Sequence, residues 1–193
     1  MDLRKSLIPT LTLATAFSCG FSPALLAGDV DYTYAEARYL LDAEIEDEDG
    51  DGFRFGGSFR ITPDIYLFGS YDDVEMDDFN ADMTLLKFGA GYIYPINPTW
   101  DANFSLAYAD AEVDFPGGDE DENGYELSAG VRGKVNPQIE VRGEFNYLDL
   151  DDDDTYLTIG ADYYFTPNVS AGLELDLGGD YETMSIGARY YFK

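Results

Sequence analysis

The sequence predicts an all-β protein that closes into a ten-stranded antiparallel barrel and spans a membrane. Three observations support this fold class: apolar and polar residues alternate with a period of two, four short proline turns separate such segments, and basic residues are confined to one face of them. A period of two indicates a strand with one apolar side. An even number of strands with alternating short and long connections is typical of transmembrane β-barrels.

Composition narrows the function before any motif is considered. The chain has 193 residues with 16 Tyr, 13 Phe and 20 Gly, which favour strands because aromatic rings suit a pleated surface and glycine weakens helices. A formal net charge of −28 argues against nucleic-acid binding, which needs clustered Lys and Arg. Histidine is absent, so the commonest general base and transition-metal ligand are missing. We therefore expect no enzyme activity and no cofactor.

The first residues have the features of a secretory leader. Arg4 and Lys5 supply a positive start, an apolar stretch of mostly small residues follows, and Ala27 precedes an abrupt change to polar residues. We expect a cleavable signal peptide at residues 1–27, export through the inner membrane, and a barrel domain at residues 28–193.

Four nearly interchangeable turns divide the chain. Each has proline after Thr or Asn, which is a turn signal because proline fixes φ. The turns are Thr62-Pro63-Asp64, Asn97-Pro98-Thr99, Asn136-Pro137-Gln138 and Thr166-Pro167-Asn168. Longer acidic connections are expected around residues 46–51, 72–82, 110–123, 149–154 and 176–182. Together these connections predict ten strands, with eight strands as the alternative.

The basic residues decide which face of the strands looks inward. Apart from Lys193, every Lys and Arg after residue 27 falls on the polar face of its strand, together with several acids. A charged side chain facing lipid near the midplane would cost roughly 2–4 kcal/mol, so a membrane barrel turns this face inward. We expect Arg–Glu pairs to fill the lumen, with Arg142 placed between Glu140 and Glu144. The predicted lumen charge network is Glu36, Arg38, Arg54, Arg60, Lys87, Glu126, Arg132, Lys134, Glu140, Arg142, Glu144, Glu174 and Arg189.

Aromatic residues on the opposite face form two bands. The band beside the short turns and the C-terminus consists of Tyr94, Trp100, Tyr163, Phe165, Tyr190 and Phe192. The band beside the longer connections consists of Tyr39, Phe53, Tyr71, Tyr108, Tyr125 and Tyr147. Two such girdles, one strand length apart, fit the two interfaces of a membrane.

The last strand carries the most specific motif of the chain. The pattern polar-x-Gly-x-x-aromatic-x-aromatic is matched at Ser185, Gly187, Tyr190 and Phe192. With this motif the chain, over residues 29–193, resembles the small outer-membrane β-barrel proteins of Gram-negative bacteria, the group that includes OmpA-type transmembrane domains and the OmpX/Ail adhesins. The resemblance implies that the motif is an assembly signal read by the barrel-insertion machinery. Lys193 departs from the pattern, since the aromatic residue is usually terminal.

The resemblance also implies a location and partners. It implies the cell outer membrane, with short turns in the periplasm and acidic loops outside, and it implies outer-membrane lipid, lipopolysaccharide and the barrel-assembly machinery as partners. We expect a monomer with a structural or surface-interaction role in envelope integrity, adhesion or shielding. Two alternatives stay open: a narrow, cation-preferring, porin-like channel, and a soluble lipid-binding barrel.

One acidic connection has the spacing of a calcium loop. Asp47, Asp49 and Asp51, followed by Gly52, alternate as oxygen ligands do in such loops. The position of the bidentate carboxylate would be Ser58, which cannot supply one. A hydrated acidic surface is the favoured interpretation, with surface calcium as the alternative.

Overall fold

The computed structural model describes residues 30–45, 48–76, 81–115, 118–178 and 181–192. In this part of the chain there are ten strands: β1 (Tyr34–Ile45), β2 (Glu48–Arg60), β3 (Ile65–Met76), β4 (Ala81–Asn97), β5 (Trp100–Phe115), β6 (Gly118–Asn136), β7 (Ile139–Asp149), β8 (Asp153–Thr166), β9 (Val169–Leu177) and β10 (Tyr181–Tyr191). The same residues include no helix that is long and apolar enough to cross a membrane. The predicted signal peptide lies outside the described residues.

The strands form one closed antiparallel barrel. Each strand pairs with its neighbours in chain order, and β1 also pairs with β10. The closing register places Arg38 opposite Gly187 and Ala35 opposite Tyr190. Because every strand has two hydrogen-bonded neighbours, no sheet edge remains to attract another chain. The ten-stranded closed barrel is confirmed, and the eight-stranded alternative is wrong.

The four proline turns join strands at one end of the barrel, which we call the turn end. In each turn the side-chain oxygen before the proline accepts a hydrogen bond from a backbone N–H two or three residues further on. Thr62 Oγ1 accepts from the N–H of Ile65 at 3.0 Å. The same bonding recurs in the other turns, whose leading residues are Asn97, Asn136 and Thr166. Such bonds explain why Thr or Asn precedes each proline.

The acidic connections at the opposite, loop end are shorter than predicted. We predicted a loop over residues 110–123, but β5 runs to Phe115 and β6 begins at Gly118. The other four predicted loops are shortened in the same way. Ladder hydrogen bonds need only the backbone, so acidic stretches can continue a strand without apolar alternation. Much of the acidic sequence therefore lies on strands that extend beyond the apolar band.

The outer face of the barrel is apolar and the inner face is charged. Outward-facing Phe104, Leu106 and Phe145 are 53%, 54% and 55% exposed, whereas inward-facing Arg38 and Arg189 are 2% and 4% exposed. Exposed rings lie toward both ends, at Tyr94, Tyr163, Phe165, Tyr190 and Phe192 near the turn end and at Tyr39, Phe53, Tyr71, Tyr108 and Tyr125 near the loop end. An apolar exterior between two aromatic bands suits a barrel surrounded by lipid.

Leu106→Arg tests the position of this lipid-facing band. The substitution places a charge between the two aromatic bands and should lower the free energy of unfolding by about 2–4 kcal/mol. Asp114→Arg, on the same face of β5 but beyond the aromatic band, is the matched control and should change it little. Urea titration of the protein refolded into lipid vesicles measures the free energy of unfolding of both variants. Equal losses in the two variants would contradict the assignment of the band.

Candidate functional site

The charged lumen is the candidate functional site. Every residue of the predicted lumen network lies on the inner face of its strand, with its side chain in the lumen. Arg38, Lys87, Glu140 and Arg189 are less than a tenth exposed although they are charged. The other members of the network contact further lumen side chains through ion pairs, hydrogen bonds or aromatic rings. Buried charges are tolerated when they are paired and hydrogen-bonded. The pairing geometry therefore decides what the lumen can do.

Glu174 of β9 is the central acid of the lumen. Arg54 donates to its carboxylate at 3.0 Å, the Arg38 guanidinium lies 3.6 Å from it, and Arg142 forms a third ion pair with it. The three arginines come from β2, β1 and β7. One carboxylate thus connects side chains from three other strands.

Asp72, Glu36 and Asp162 complete this arginine cluster. Arg54 Nε and NH2 donate to the two carboxylate oxygens of Asp72 at 2.9 Å and 2.8 Å. This bidentate geometry makes guanidinium–carboxylate bonds strong. Arg189 Nε donates to Glu36 at 2.7 Å, and its NH1 donates to Asp162 at 3.2 Å. Both guanidiniums therefore have carboxylate partners on more than one strand.

A separate ion pair, outside the arginine cluster, connects β4 and β6. Lys87 Nζ donates to Glu126 at 3.0 Å and to the hydroxyl of Tyr156 at 3.2 Å. Tyr156 Oη also donates to the Glu126 carboxylate, and it reaches there from β8. Side chains from three different strands meet at this point of the lumen.

Arg132 of β6 reaches the opposite wall of the barrel. Its Nε donates to Glu140 of β7 at 2.5 Å, and Tyr164 Oη donates to the same carboxylate at 2.7 Å. Its NH2 donates to Tyr191 of β10 at 3.3 Å, and its guanidinium carbon lies 5.3 Å from the centre of the Tyr34 ring of β1. Since β6 is five strands away from β1 around the ring, this side chain spans the lumen.

Two lumen arginines lie over glycines of neighbouring strands. Arg38 faces Gly187, and Arg142 faces Gly160. A Cβ at Gly187 would overlap with the Arg38 side chain and lie 2.6 Å from a backbone oxygen of β1. A Cβ at Gly160 would lie 2.7 Å from the Arg142 guanidinium carbon. The glycines therefore provide the space in which the guanidiniums fit.

An apolar cluster fills the lumen at the turn end. It consists of Val30, Tyr32, Tyr66 and Ile93, all buried. Residues 30–33 precede β1, so the chain enters the barrel mouth before it joins the sheet. Arg60 NH2 donates to the carbonyl of Val30 at 3.1 Å, and Lys134 lies over the Tyr164 ring at 4.9 Å. These two predicted network residues thus bind a carbonyl and a ring, and the described residues give them no ion pair.

Apolar side chains also lie toward the loop end of the lumen. One cluster combines Leu85, Leu148 and Tyr156 with two buried alanines, and another combines Leu40 and Val74 with Ala43. The arginine cluster around Glu174 lies between these clusters and the one at the turn end. Charged side chains therefore occupy the middle of the lumen, and apolar side chains join them toward both ends.

Sequence reasoning missed two buried lumen acids. Asp72 and Asp101 are 1% and 0% exposed and point inward. Asp72 lay in a predicted loop, which the structure replaces by β3. Asp101 could have been found from its position next to outward-facing Trp100, because neighbours on a strand point to opposite faces.

Arg142 pairs with acids of other strands and not with the acids beside it on β7. It lies between Glu140 and Glu144 on one face of the strand, and it donates to Asp162 of β8 at 2.7 Å. Gly160 lies directly opposite Arg142 and has no side chain, so the guanidinium can reach Asp162, which lies diagonally across on β8. Glu144 instead accepts a hydrogen bond from Asn103, and it has no basic partner among the described residues.

The proposed calcium ligands do not form a described loop. Asp47 lies outside the described residues, and Asp49 and Asp51 belong to β2, where Asp49 pairs with Glu44. Asp51 is exposed and accepts a hydrogen bond from Tyr39 Oη at 2.5 Å. In the part of the chain that the structure describes, no three acidic or cysteine side chains are arranged to hold a metal. Calcium binding stays an untested prediction.

The motif of the last strand is divided between the two faces of the barrel. Ser185 is fully buried and Gly187 faces the lumen. Tyr190 and Phe192 are 50% and 56% exposed on the outer face near the turn end. The glycine of the motif thus has a packing role, whereas its aromatic residues are presented outward.

The fold and the site define an integral membrane β-barrel whose lumen is filled by charged side chains. A family model described as outer membrane protein beta-barrel domain matches residues 52–165, which is more than half of the chain. The protein belongs to this outer-membrane β-barrel family, so the resemblance inferred from the last strand is confirmed. Membership implies an outer-membrane location.

Solved outer-membrane barrels are similar to this chain at low identity. The KdgM porin is 14% identical with a TM-score of 0.47, over 83% of this chain and 99% of the porin. Ail, the attachment invasion locus protein of Yersinia pestis, was solved with the heparin analogue sucrose octasulfate; it is 15% identical with a TM-score of 0.48, over 83% of this chain and 97% of Ail. Neisserial surface protein A is 16% identical with a TM-score of 0.43, over 84% of this chain and 98% of that protein. No curated protein matches the sequence.

Glu174→Gln should destabilise the barrel strongly. It leaves buried arginines with one carboxylate fewer, and breaking a buried pair costs about 3–5 kcal/mol. Glu75→Gln removes an exposed acid from β3 and is the matched control with little expected change. Urea unfolding in vesicles compares the two. A loss for Glu174→Gln no greater than that of the control would contradict a structural role of the network.

Gly187→Ala tests whether the motif glycine makes room for Arg38. Overpacking at this position should cost about 1–3 kcal/mol of unfolding free energy. Gly143→Ala is the matched control, because a Cβ there meets no atom within 4 Å. We expect the control to be neutral or slightly stabilising in the same urea titration. Tolerance of alanine at both positions would show that the close approach of Arg38 does not matter.

Proposed function

We propose that the protein is a structural barrel of the outer membrane whose lumen does not conduct. Three features of the lumen support this function. Ion pairs connect its walls, apolar side chains occupy both of its ends, and residues 30–33 enter its mouth at the turn end. A hydrophobic constriction excludes water and therefore ions.

The observation that carries the proposal is the reach of Arg132 across the lumen. Its contacts with Glu140 of β7 and with Tyr191 and Tyr34 of the opposite wall place the guanidinium across the lumen at the turn end. The side chain is 5% exposed, and partners on two sides hold the guanidinium. A buried arginine fixed on two sides acts as a strut between the walls.

A narrow cation-preferring channel is the second candidate. A cavity of about 160 Å³ within the lumen favours it, because the cavity is lined by polar and charged side chains, including Glu126 and Glu144. Acidic residues at the loop end would concentrate cations at one mouth. The soluble lipid-binding barrel is not supported, because such a barrel needs an apolar lumen and a polar exterior, the reverse of this arrangement.

Surface roles follow from the distribution of charge. The described basic residues lie in the lumen, whereas exposed acids such as Asp114 and Asp121 project outward beyond the loop-end aromatic band. We infer a monomer exported by residues 1–27, inserted by the assembly machinery and oriented with this acidic rim outside, next to lipopolysaccharide. The rim would shield the envelope or interact with cationic surfaces.

Planar-bilayer recordings of the purified, refolded protein separate the two candidates. We expect no unitary currents from the wild type, since its lumen is bridged and its ends are apolar. Arg132→Ala combined with Tyr191→Ala removes the strut and its partner and should give at most small currents, because the apolar side chains toward both ends remain. A heat-dependent shift in gel mobility shows that each refolded barrel is intact. Stable wild-type currents that prefer cations would overturn the structural proposal and support the channel.

A further inference from the structure

One part of the lumen cavity is rich in oxygen ligands. The basic side chains that line the cavity are Arg54, Lys87, Arg132, Arg142 and Arg189. Strands β5, β6 and β7 also place side chains with amide, hydroxyl and carboxylate oxygens along it. These residues are Asn103, Ser105, Ser128, Glu144 and Asn146. Such oxygens are the ligands that hard cations take in proteins.

Glu144 differs from the other acids that line this cavity. Glu36, Glu126, Glu174 and Asp176 each have a basic partner within 4.0 Å. Glu144 accepts a hydrogen bond from Asn103 Nδ2, and among the described residues it forms no ion pair. Arg142, the nearest arginine along β7, pairs with Asp162 and Glu174 instead. A partly buried carboxylate with no ion-pair partner is costly, and a bound cation or a proton would lower this cost.

The sheet register explains why oxygen atoms gather around Glu144. Asn103 of β5 and Glu144 of β7 both face Gly130 of β6, which has no side chain to separate them. A Cβ at Gly130 would lie 3.0 Å from Cα and Cβ of Glu144. The neighbouring inward row places Ser105 opposite Ser128. Amide, hydroxyl and carboxylate oxygens from three strands therefore border one part of the cavity.

We propose that Glu144, with Asn103, Ser105 and Ser128, binds a small monovalent cation such as sodium inside the barrel. One unpaired carboxylate matches a single positive charge, whereas calcium takes six to eight oxygens and usually several carboxylates. The cavity volume leaves room for the ion together with water molecules that complete its shell. The site needs no conduction, because the ion can be enclosed when the barrel folds. The proposal therefore stands apart from the function proposed above.

Rubidium provides a direct probe of the site. The protein is refolded with rubidium as the alkali cation and crystallised, and anomalous scattering locates the ion. We expect a peak in contact with the Glu144 carboxylate in the wild type and in Glu75→Gln, and its loss in Glu144→Gln. Ser128→Ala keeps the carboxylate and should reduce the occupancy. Absence of a lumen peak from the wild type, or persistence of the peak in Glu144→Gln, would overturn the proposal.

Unfolding in solution gives a second readout that needs no crystal. Urea midpoints are compared in sodium and in choline, whose methylated nitrogen cannot take close oxygen ligands, at equal ionic strength. The wild type and Glu75→Gln should unfold at higher urea in sodium, and Glu144→Gln should show no difference between the two salts. A midpoint that depends on pH alone and not on the cation would show that a proton balances Glu144, and this result would also overturn the proposal.

Discussion

The pairing of β1 with β10 is the constraint on which the rest of the molecule depends. Hydrocarbon offers no hydrogen bonds, so every backbone N–H and C=O of a lipid-facing sheet must bond within it. A sheet of ten strands meets this condition when its first and last strands pair, as they do here. Closure then separates two environments, with lipid around the aromatic and aliphatic outer face and an enclosed space inside.

The enclosed space determines the chemistry of the interior. Charged side chains cannot reach bulk water across an apolar wall, so they pair with one another, and the arginine cluster around Glu174 links β1, β2, β7 and β9. Small residues make these long side chains fit, as Gly160 does for Arg142. Where a partner is missing, as at Glu144, the lumen provides oxygen atoms and a cavity instead. Stability and the proposed cation site thus depend on the same set of side chains.

The sequence predicted which face of each strand looks inward, but not which side chains meet. Period-two alternation and proline turns are local, so they determined the strand number and the inward position of residues such as Arg54 and Arg132. Ion pairing depends on register and on distances across the lumen, so Arg142 pairs with Asp162 and not with its sequence neighbours. Strand ends were also missed. The acidic stretch around residues 110–123 lacks apolar alternation, yet its backbone continues the ladder.

The fit of Arg38 over Gly187 makes the closing seam sensitive to its own alignment. A one-residue slip between β1 and β10 would turn the charged face of one strand toward lipid. A two-residue slip keeps the faces but places Arg38 opposite either Ser185 or Arg189, where a side chain, and in the second case a like charge, occupies the space that glycine leaves open. Steric fit and charge therefore favour the observed register of β1 and β10, and a slip in either direction is destabilising.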